Sequence, residues 1–471
     1  MNENKIYNYL VNGCRGGINI FDIVIIGGGF SGTIAAIAAS RLGAKTLIVE
    51  KNGYLGGALT AAGVGPMMTF HVKDKQIIKG ITGELIERLQ AKGKSVGHIL
   101  DSTNYTYSVT PFDSEAMKYE LETMLLESHG QILYHAMLAD VEVRDKVIKS
   151  ITVCHKKGLE KIEAKIYIDA SGDADLAYKA NVPCEIGRKK DHKTQPMTLN
   201  MKISGVNREK LIHYIKNNPD NFKRMHNDIS TITKVPRLSV IGFEKEFVRA
   251  KQENRIHIQR EDVLLFETNE LQEFIVNTTR ILDCDPNDPY SISLAEIEGR
   301  KQCQELENFM KSDLPGFENI HVVSTGPSIG VRGSRQIEGY YQLTAQDILE
   351  TKKFNDTIAH SAYPIDVHSP DGEGTIHGKL KDGEYYSIPY RVVITPYVRN
   401  LLVCGRCVSA SFEAQAAIRT TPTVGAIGHA VGIAAALSIK NNQYPNELNV
   451  SDIQNELIKQ NAYLEIEEKK K

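Results

Sequence analysis

Arginines, histidines and cysteines stand at a few places where they could do chemistry. GPSIGVRGSR (residues 326–335) sets Arg332 and Arg335 in a glycine-rich run. A guanidinium is always charged and forks onto two oxygens at once, so both are candidates to hold a substrate carboxylate or another anion. Salt bridges that fix a loop are their plainer role. His368, in YPIDVHSP (residues 363–370), and His71 are candidates for proton transfer, because imidazole titrates near neutrality. Asp366 is placed either to orient His368 or simply to cap a proline-fixed turn. Tyr390, Arg391 and Arg419 are further pocket candidates. Cys404 and Cys407 have the C-x-x-C spacing of a redox pair, although Cys404 ends an apolar run from Asn400 that reads as a buried strand. Cysteine and histidine form no cluster with ligand spacing, so no metal is expected.

Such side chains need a scaffold that holds a reactant beside them. The most regular stretch is FDIVIIGGGFSGTIAAIAASRLGAKTLIVEK, Phe21 to Lys51. Ile23 to Ile26 reads as a buried parallel strand, Thr33 to Leu42 as a helix closed by Gly43, and Thr46 to Val49 as a second buried strand ending on Glu50. Gly27, Gly29 and Gly32 lie between the first strand and the helix at G-x-G-x-x-G spacing. Gly27 allows the tight turn, Gly29 lets backbone approach a pyrophosphate, and Gly32 lets the helix pack closely on the strand. The helix N-terminus offers free N–H groups and a positive dipole end to phosphates, and Glu50 is placed to accept from a ribose. Strand, turn, helix, strand and acid in this order are the context that gives the glycine motif weight. Lys51 opens a loop in which Gly56 and Gly57 let backbone run beside a flat ligand.

A chain of 471 residues has room for two or three domains. Its formal charge of −2 makes no electrostatic case for nucleic acid or an anionic membrane. Seven cysteines are too few for a disulfide framework and read as thiols of a cytoplasmic protein, Cys14 among them. The first twenty residues lack a signal peptide's apolar core. Without an apolar run of about eighteen residues, no membrane span is expected.

The remaining elements alternate helix and strand, an α/β class. Ile81 to Lys92 and the stretch from Asp113, an N-cap, to Ser128 read as helices, the second burying Met117, Leu121, Met124 and Leu125. Gln131 to Ala136 and Ile162 to Ala170 read as strands, and Ala139 to Val143 with Val147 to Cys154 as a hairpin. Small and acidic residues then follow at a strand end, Asp169 to Asp175. From about Gly187 to Asn319 the texture is more polar, with strands at Leu199 to Ile203 and Val263 to Thr268. A helix at Ser291 to Lys311 is expected to bury Ile297, Leu306 and Met310. Val322 to Thr325 resumes the buried-strand style, and Thr344 opens a short helix. Pro422 starts a small-residue helix, Val424 to Ile439, whose Gly425, Gly428 and Gly432 form a face for a cofactor or sheet. The tail from Asn446 reads as a solvated helical end. The organisation is therefore a lead-in (1–20), a nucleotide-binding part (21–186), an inserted α+β substrate or cap domain (187–319), a second nucleotide-binding part (320–445) and a tail (446–471).

The GGGFSG turn with Glu50, the Lys51 to Gly57 loop, IYIDASGDADLAYKA, and the long run from SIGVRGSRQIEGYYQLTAQD through YPIDVHSP to NLLVCGRCVSASFEAQAAIRTTPTVGAIGHAVGIAAAL resemble the FAD-dependent oxidoreductase family with a glutathione-reductase-type FAD fold. The resemblance implies non-covalent FAD, a Rossmann-type FAD-binding domain built from discontinuous segments, and redox chemistry at the flavin. By position it puts Gly27, Gly29, Ser31 and Gly32 at the pyrophosphate and Glu50 on the adenosine ribose, with Lys51 nearby. It puts Gly56 and Gly57 near the ribityl or ring region, and Ala170, Ser171 and Gly172 on the adenine side. Gly405 and Arg406 would close over the FAD, with Thr423, Val424, Gly425 and Gly428 at the flavin-facing helix start. Gly333 departs from the family, which usually has an acidic residue between the two arginines, and so does Cys404, where alanine is commoner.

No cysteine pair follows Glu50, and no second glycine motif is followed by a strand ending in an acid, so no built-in NAD(P) site is expected. The leading expectation is an FAD-dependent oxidoreductase that oxidises or reduces a small organic metabolite by hydride transfer and uses an external electron acceptor or donor. The alternatives are a flavoprotein that binds or modifies RNA, an NAD-dependent dehydrogenase, and a protein in which FAD is a non-catalytic ligand. The near-neutral charge speaks against the RNA reading. Oligomeric state is open.

Overall fold

β-Branched residues buried on both faces build the central sheet. In the computed structural model, which describes residues 20–225 and 229–465, β1 (Ile20–Ile26) carries Ile23, Val24 and Ile25 with no exposed surface. The lead-in 1–19, with Cys14, and residues 466–471 of the tail lie outside the described residues. The helix α1 (Phe30–Arg41) returns the chain to β2 (Thr46–Val49), parallel to β1. The helix Gly80–Ala91 comes next; then Ser114–Glu127 is capped as expected, Asp113 accepting the N–H groups of Glu115 and Ala116. β3 (Gln131–Leu133) pairs parallel with β2. β4 (Met137–Arg144), β5 (Val147–His155) and β6 (Gly158–Asp169) form an antiparallel meander. The C-terminal half of β6 lies parallel to β1; on the other side the N-terminal half of β6 pairs with β5, and its last residues, Tyr167–Asp169, with the late strand β7 (Leu401–Val403). The parallel order is thus β3-β2-β1-β6-β7, a Rossmann-type sheet assembled from distant segments.

Residues 197–329 bury their own apolar cluster, separate from that around the parallel sheet. Its sheet is antiparallel, in the order Ser239–Gly242, Val263–Glu267, Glu273–Val276, Met201–Ser204, His321–Thr325. The last strand corrects an expectation: Val322 to Thr325 is no buried parallel strand. Among the described residues it pairs only with Met201–Ser204, at a sheet edge, and it is largely exposed. The helix Pro289–Asp313 buries Leu306 and Met310 but leaves Ile297 63% exposed. Its inward stripe runs through Ala295, Gly299, Gln302 and Leu306, and Ile297 lies about 200° round the axis from Ala295.

The apolar helix α2 (Thr421–Asn441) is long and apolar enough to cross a membrane, yet 83% of its apolar window is buried in the molecule. It packs on α1. A Cβ on Gly428 would stand 2.2 Å from the Ser31 carbonyl oxygen, and one on Gly432 2.2 Å from that of Ala35. The tail is less solvated than expected, because the helix Val450–Lys459 buries Ile453 and Leu457, and Gln454 donates to the Asn355 and Thr357 carbonyls.

Candidate active site

From β1 the chain crosses to β2 on one side, and β6 lies on the other. In open α/β sheets ligands occupy the crevice above such a switch point. Gly27 ends β1 with φ +101°, and a Cβ there would be 2.5 Å from the Ala170 oxygen at the end of β6. A Cβ on Gly32 would meet the Gly27 oxygen at 2.1 Å. Gly29 differs: its φ is −61°, and a Cβ would find only the Ala170 oxygen, at 3.8 Å. It caps α1 without a side-chain acceptor, and the N–H groups of Ser31 and Gly32 have no acceptor among the described residues. Free N–H groups at the positive end of a helix, under an open glycine, fit a diphosphate.

The Glu50 carboxylate ties this turn to β2. One oxygen accepts the Gly28 N–H at 2.7 Å, and the other accepts the Asn52 backbone and side-chain N–H groups, each at 2.8 Å. The oxygen that accepts Gly28 keeps a lone pair for a further donor. Lys51 is exposed beside it. Gly56 donates to the Gly28 oxygen at 2.9 Å, and Gly57 lies against Gly29. Beyond Ala170, Ser171 donates to Asp169 at 2.7 Å, while burial lifts the Asp169 carboxyl to about 6. Gly405 lies against Ser31, and Arg406 reaches over Gly172 to Asp173 at 2.6 Å.

The expectation for the start of α2 needs correcting. Gly425 faces Phe30 and Thr82, and Gly428 faces Ser31, so α1 takes the small-residue face that was expected against the cofactor. Thr423 hydrogen-bonds with Ser361 and Thr420, at 2.9 and 3.0 Å, and Val424 is buried.

The catalytic candidates separate into three places. Arg335 is half-buried, donating to the Asp173 carbonyl at 3.0 Å and Asp175 at 3.1 Å, with its guanidinium 4.3 Å from the Tyr178 ring centroid. This is the plainer, structural role. His71 hydrogen-bonds with Ser108 at 3.1 Å, its ring centroid 5.0 Å from that of His98, and burial pushes its pKa down. No contact joins it to His368 among the described residues.

Arg332 and His368 do come together. Arg332 is buried and donates from Nη1 to the Pro196 carbonyl at 2.6 Å and to Thr198. His368 donates its backbone N–H to Gln195 at 3.1 Å, Gln195 donates to Gln415 at 3.4 Å, and Gln415 donates to the Arg332 carbonyl at 2.8 Å. His368 Nε2 faces Asp366 at 3.4 Å, and Asp366 also accepts the Tyr363 hydroxyl at 3.2 Å and faces Arg419 at 3.7 Å and His377 at 3.5 Å. Burial, then the Arg332 charge, push His368 well below its usual pKa, so it is neutral at neutral pH. Burial works to raise Asp366, but His368, Arg419 and His377 outweigh it and keep the carboxylate ionised. Behind Gln195 and Pro196 lies a cavity of about 740 Å³, which Cys184 and Cys284 also line. The two sites are linked by chain: Ala61 and Ala62, just past Gly57, accept from Ser328 and Asn200 at 3.0 Å.

The sequence matches the family described as FAD dependent oxidoreductase over residues 22–457. The chain belongs to that family. It is 32% identical to a dihydrolipoyl dehydrogenase of Trypanosoma brucei brucei over 115 residues, 21% of this chain and 24% of that protein. It is 26% identical to a thiamine thiazole synthase of Methanococcus aeolicus over 179 residues, 36% of this chain and 60% of that protein. The chain thus matches less than two thirds of the length of each of these relatives. A geranylgeranyl bacteriochlorophyll reductase-like structure from Thermoplasma acidophilum superposes with TM-score 0.49 at 11% identity, covering 95% of this chain and 85% of that one.

Like others of its family, this oxidoreductase takes FAD, and the open glycine over the α1 N-terminus suits it. Cys404 and Cys407 are free, buried thiols, and burial pushes Cys404 up to about 12, far from a reactive thiolate. With Arg335 held in its ion pair, Arg335→Ala should lower stability by about 1 kcal/mol. The rate at which substrate reduces the bound flavin should not change. A fall in that rate, at full FAD content, would return Arg335 to the chemistry.

Proposed function

We propose that this FAD-dependent oxidoreductase oxidises or reduces a small organic metabolite, by hydride exchange, at the Arg332–His368 cluster. The Ser31 and Gly32 N–H groups hold the diphosphate, Glu50 the ribose, and Ala170 to Gly172 flank the adenine side. Bound FAD supplies the two-electron chemistry, and the chain must hold the substrate and manage one proton. Electrons pass onward to an external partner, without an NAD(P) site in this chain.

The observation that carries the reading is a neutral imidazole, only 13% of its side chain exposed, paired with a buried carboxylate and beside a buried guanidinium. Asp366 faces Nε2 and favours the proton there, leaving Nδ1 as the acceptor. His368 therefore takes a proton from the substrate when a hydride leaves it, and returns one in the reverse direction. Tyr363 donates to Asp366 and fixes the carboxylate that faces His368, and burial limits competition from bulk water. His368→Gln should slow anaerobic reduction of the flavin by substrate about 10²- to 10⁴-fold, with FAD content unchanged. The measurement is stopped-flow bleaching of the flavin band once a metabolite screen has found a reductant. An unaltered rate would remove His368 from the mechanism.

A further inference from the structure

Four arginines crowd one buried place, and two of them, Arg332 and Arg280, have no carboxylate within ion-pair distance among the described residues. Arg332, 9% exposed, has no carboxylate within ion-pair distance among the described residues, and its Nε and Nη2 have no protein acceptor there. Arg280 donates Nη2 to the Ser369 and Gly374 carbonyls, at 2.9 and 2.8 Å, while its Nε is buried without a partner. Arg419 Nε is likewise buried and unpartnered. The carboxylates at hand are already shared. Asp366 serves Arg419, His368, His377 and Tyr363, and Asp262 serves Arg224 at 2.7 Å and Arg260 at 3.3 Å. Burial first, then the charges of Arg419, Arg260 and Arg280, press Arg332 toward losing its proton, with Asp366 opposing. A buried cation with no anion facing it is unfavourable, and the natural remedy is an anion brought by a ligand.

We propose that the substrate is a small carboxylate, its carboxyl group held by the free Nε–Nη2 edge of Arg332 with Arg419 beside it. The inference rests on the redox reading above and names its substrate class. The planar edge of a guanidinium matches the two oxygens of a carboxylate. Arg332 Nη1 is fixed by Pro196 and Thr198, so that edge is held in one orientation before the ligand arrives. His368, tied to Arg332 through Gln195 and Gln415, then meets the substrate close to its carboxyl end.

The test is titration of the FAD-loaded enzyme with acetate and succinate, with acetamide and succinamide as uncharged counterparts and inorganic phosphate as a third arm. Flavin absorbance and melting temperature are followed together. Carboxylates should shift both saturably, their amides should not, and phosphate should act weakly. Arg332→Met should raise the apparent Kd for carboxylate at least about 100-fold at unchanged FAD content, and Arg332→Lys should recover only part of the loss, a point charge lacking the fork. No response to carboxylates, a response shared by the amides, a stronger response to phosphate, or one that survives Arg332→Met would each overturn the proposal. Carboxylate binding at Arg332 with no carboxylate able to reduce the flavin would sink the redox reading and leave the anion site standing. Flavin reduction by an uncharged metabolite, with no response to carboxylates, would do the opposite.

Discussion

Gly29→Leu should give a folded but colourless protein. The glycines of the β1–α1 turn are there for different reasons, and this substitution separates them. At Gly27 the left-handed φ and the Ala170 carbonyl exclude any side chain, and at Gly32 the Gly27 carbonyl does. Changes there damage the fold. Gly29 has an ordinary φ and no protein atom within 3.8 Å of a Cβ, so the apoprotein should tolerate leucine. What leucine fills is the space over the Ser31 and Gly32 N–H groups that the diphosphate needs. FAD affinity should fall at least about 10³-fold, roughly 4 kcal/mol, which leaves purified protein without a flavin band. Far-UV circular dichroism and apoprotein melting should match the parent stripped of FAD. Gly428→Leu is the contrast, since its Cβ would lie 2.2 Å from the Ser31 carbonyl and force α1 and α2 apart. Flavin retained by Gly29→Leu would mean that the diphosphate lies elsewhere.

The nucleotide-binding turn was legible because everything it needs is local. Strand, glycines, helix and acid follow one another within Phe21 to Glu50, and each residue's job depends on near neighbours. The cluster at Arg332 was only half legible. Arg332, Asp366, His368 and Arg419 stand in motifs, but Gln195, Gln415, Arg280 and Tyr105 act through contacts across the fold that no spacing reveals. Tyr105, for example, meets His377 at 3.1 Å across 272 positions. For Arg335 the sequence left two roles open, and only the fold shows the salt bridge to Asp175, which stands 160 positions away in the chain. The glycines of α2 were read toward a cofactor because small residues suit any close neighbour, and only the tertiary fold shows that the neighbour is another helix.

Acid should destabilise this protein well before its carboxylates are protonated, because imidazoles are buried neutral in its core. His360 and His429 are each 1% exposed. Burial pushes His360 down to about 3 and His429 to about 4, both against an unfolded value near 6.5. The sign follows from proton uptake. Above pH 6.5 both states hold neutral imidazole and stability does not change; below it the unfolded chain binds protons that the folded chain refuses, and stability falls until the folded values are reached. At pH 5 each histidine should cost about 2 kcal/mol relative to pH 7. Asp169 acts in the opposite sense. With its folded pKa raised by burial to about 6, it takes up a proton in the folded state first and returns about 1 kcal/mol over the same interval. From these three groups alone the loss is about 3 kcal/mol, a large part of the roughly 5–15 kcal/mol that holds a domain together, and His98, pushed by burial to about 4, adds to it in the same direction. Urea unfolding of the apoprotein at pH 7 and pH 5 measures it. His429 hydrogen-bonds with Gln460 at 2.9 Å, and His429→Gln keeps a polar group there while removing the titration. The difference between the two pH values should shrink by about 2 kcal/mol in that variant. An undiminished difference would show that burial of this imidazole is not what makes the fold acid-sensitive.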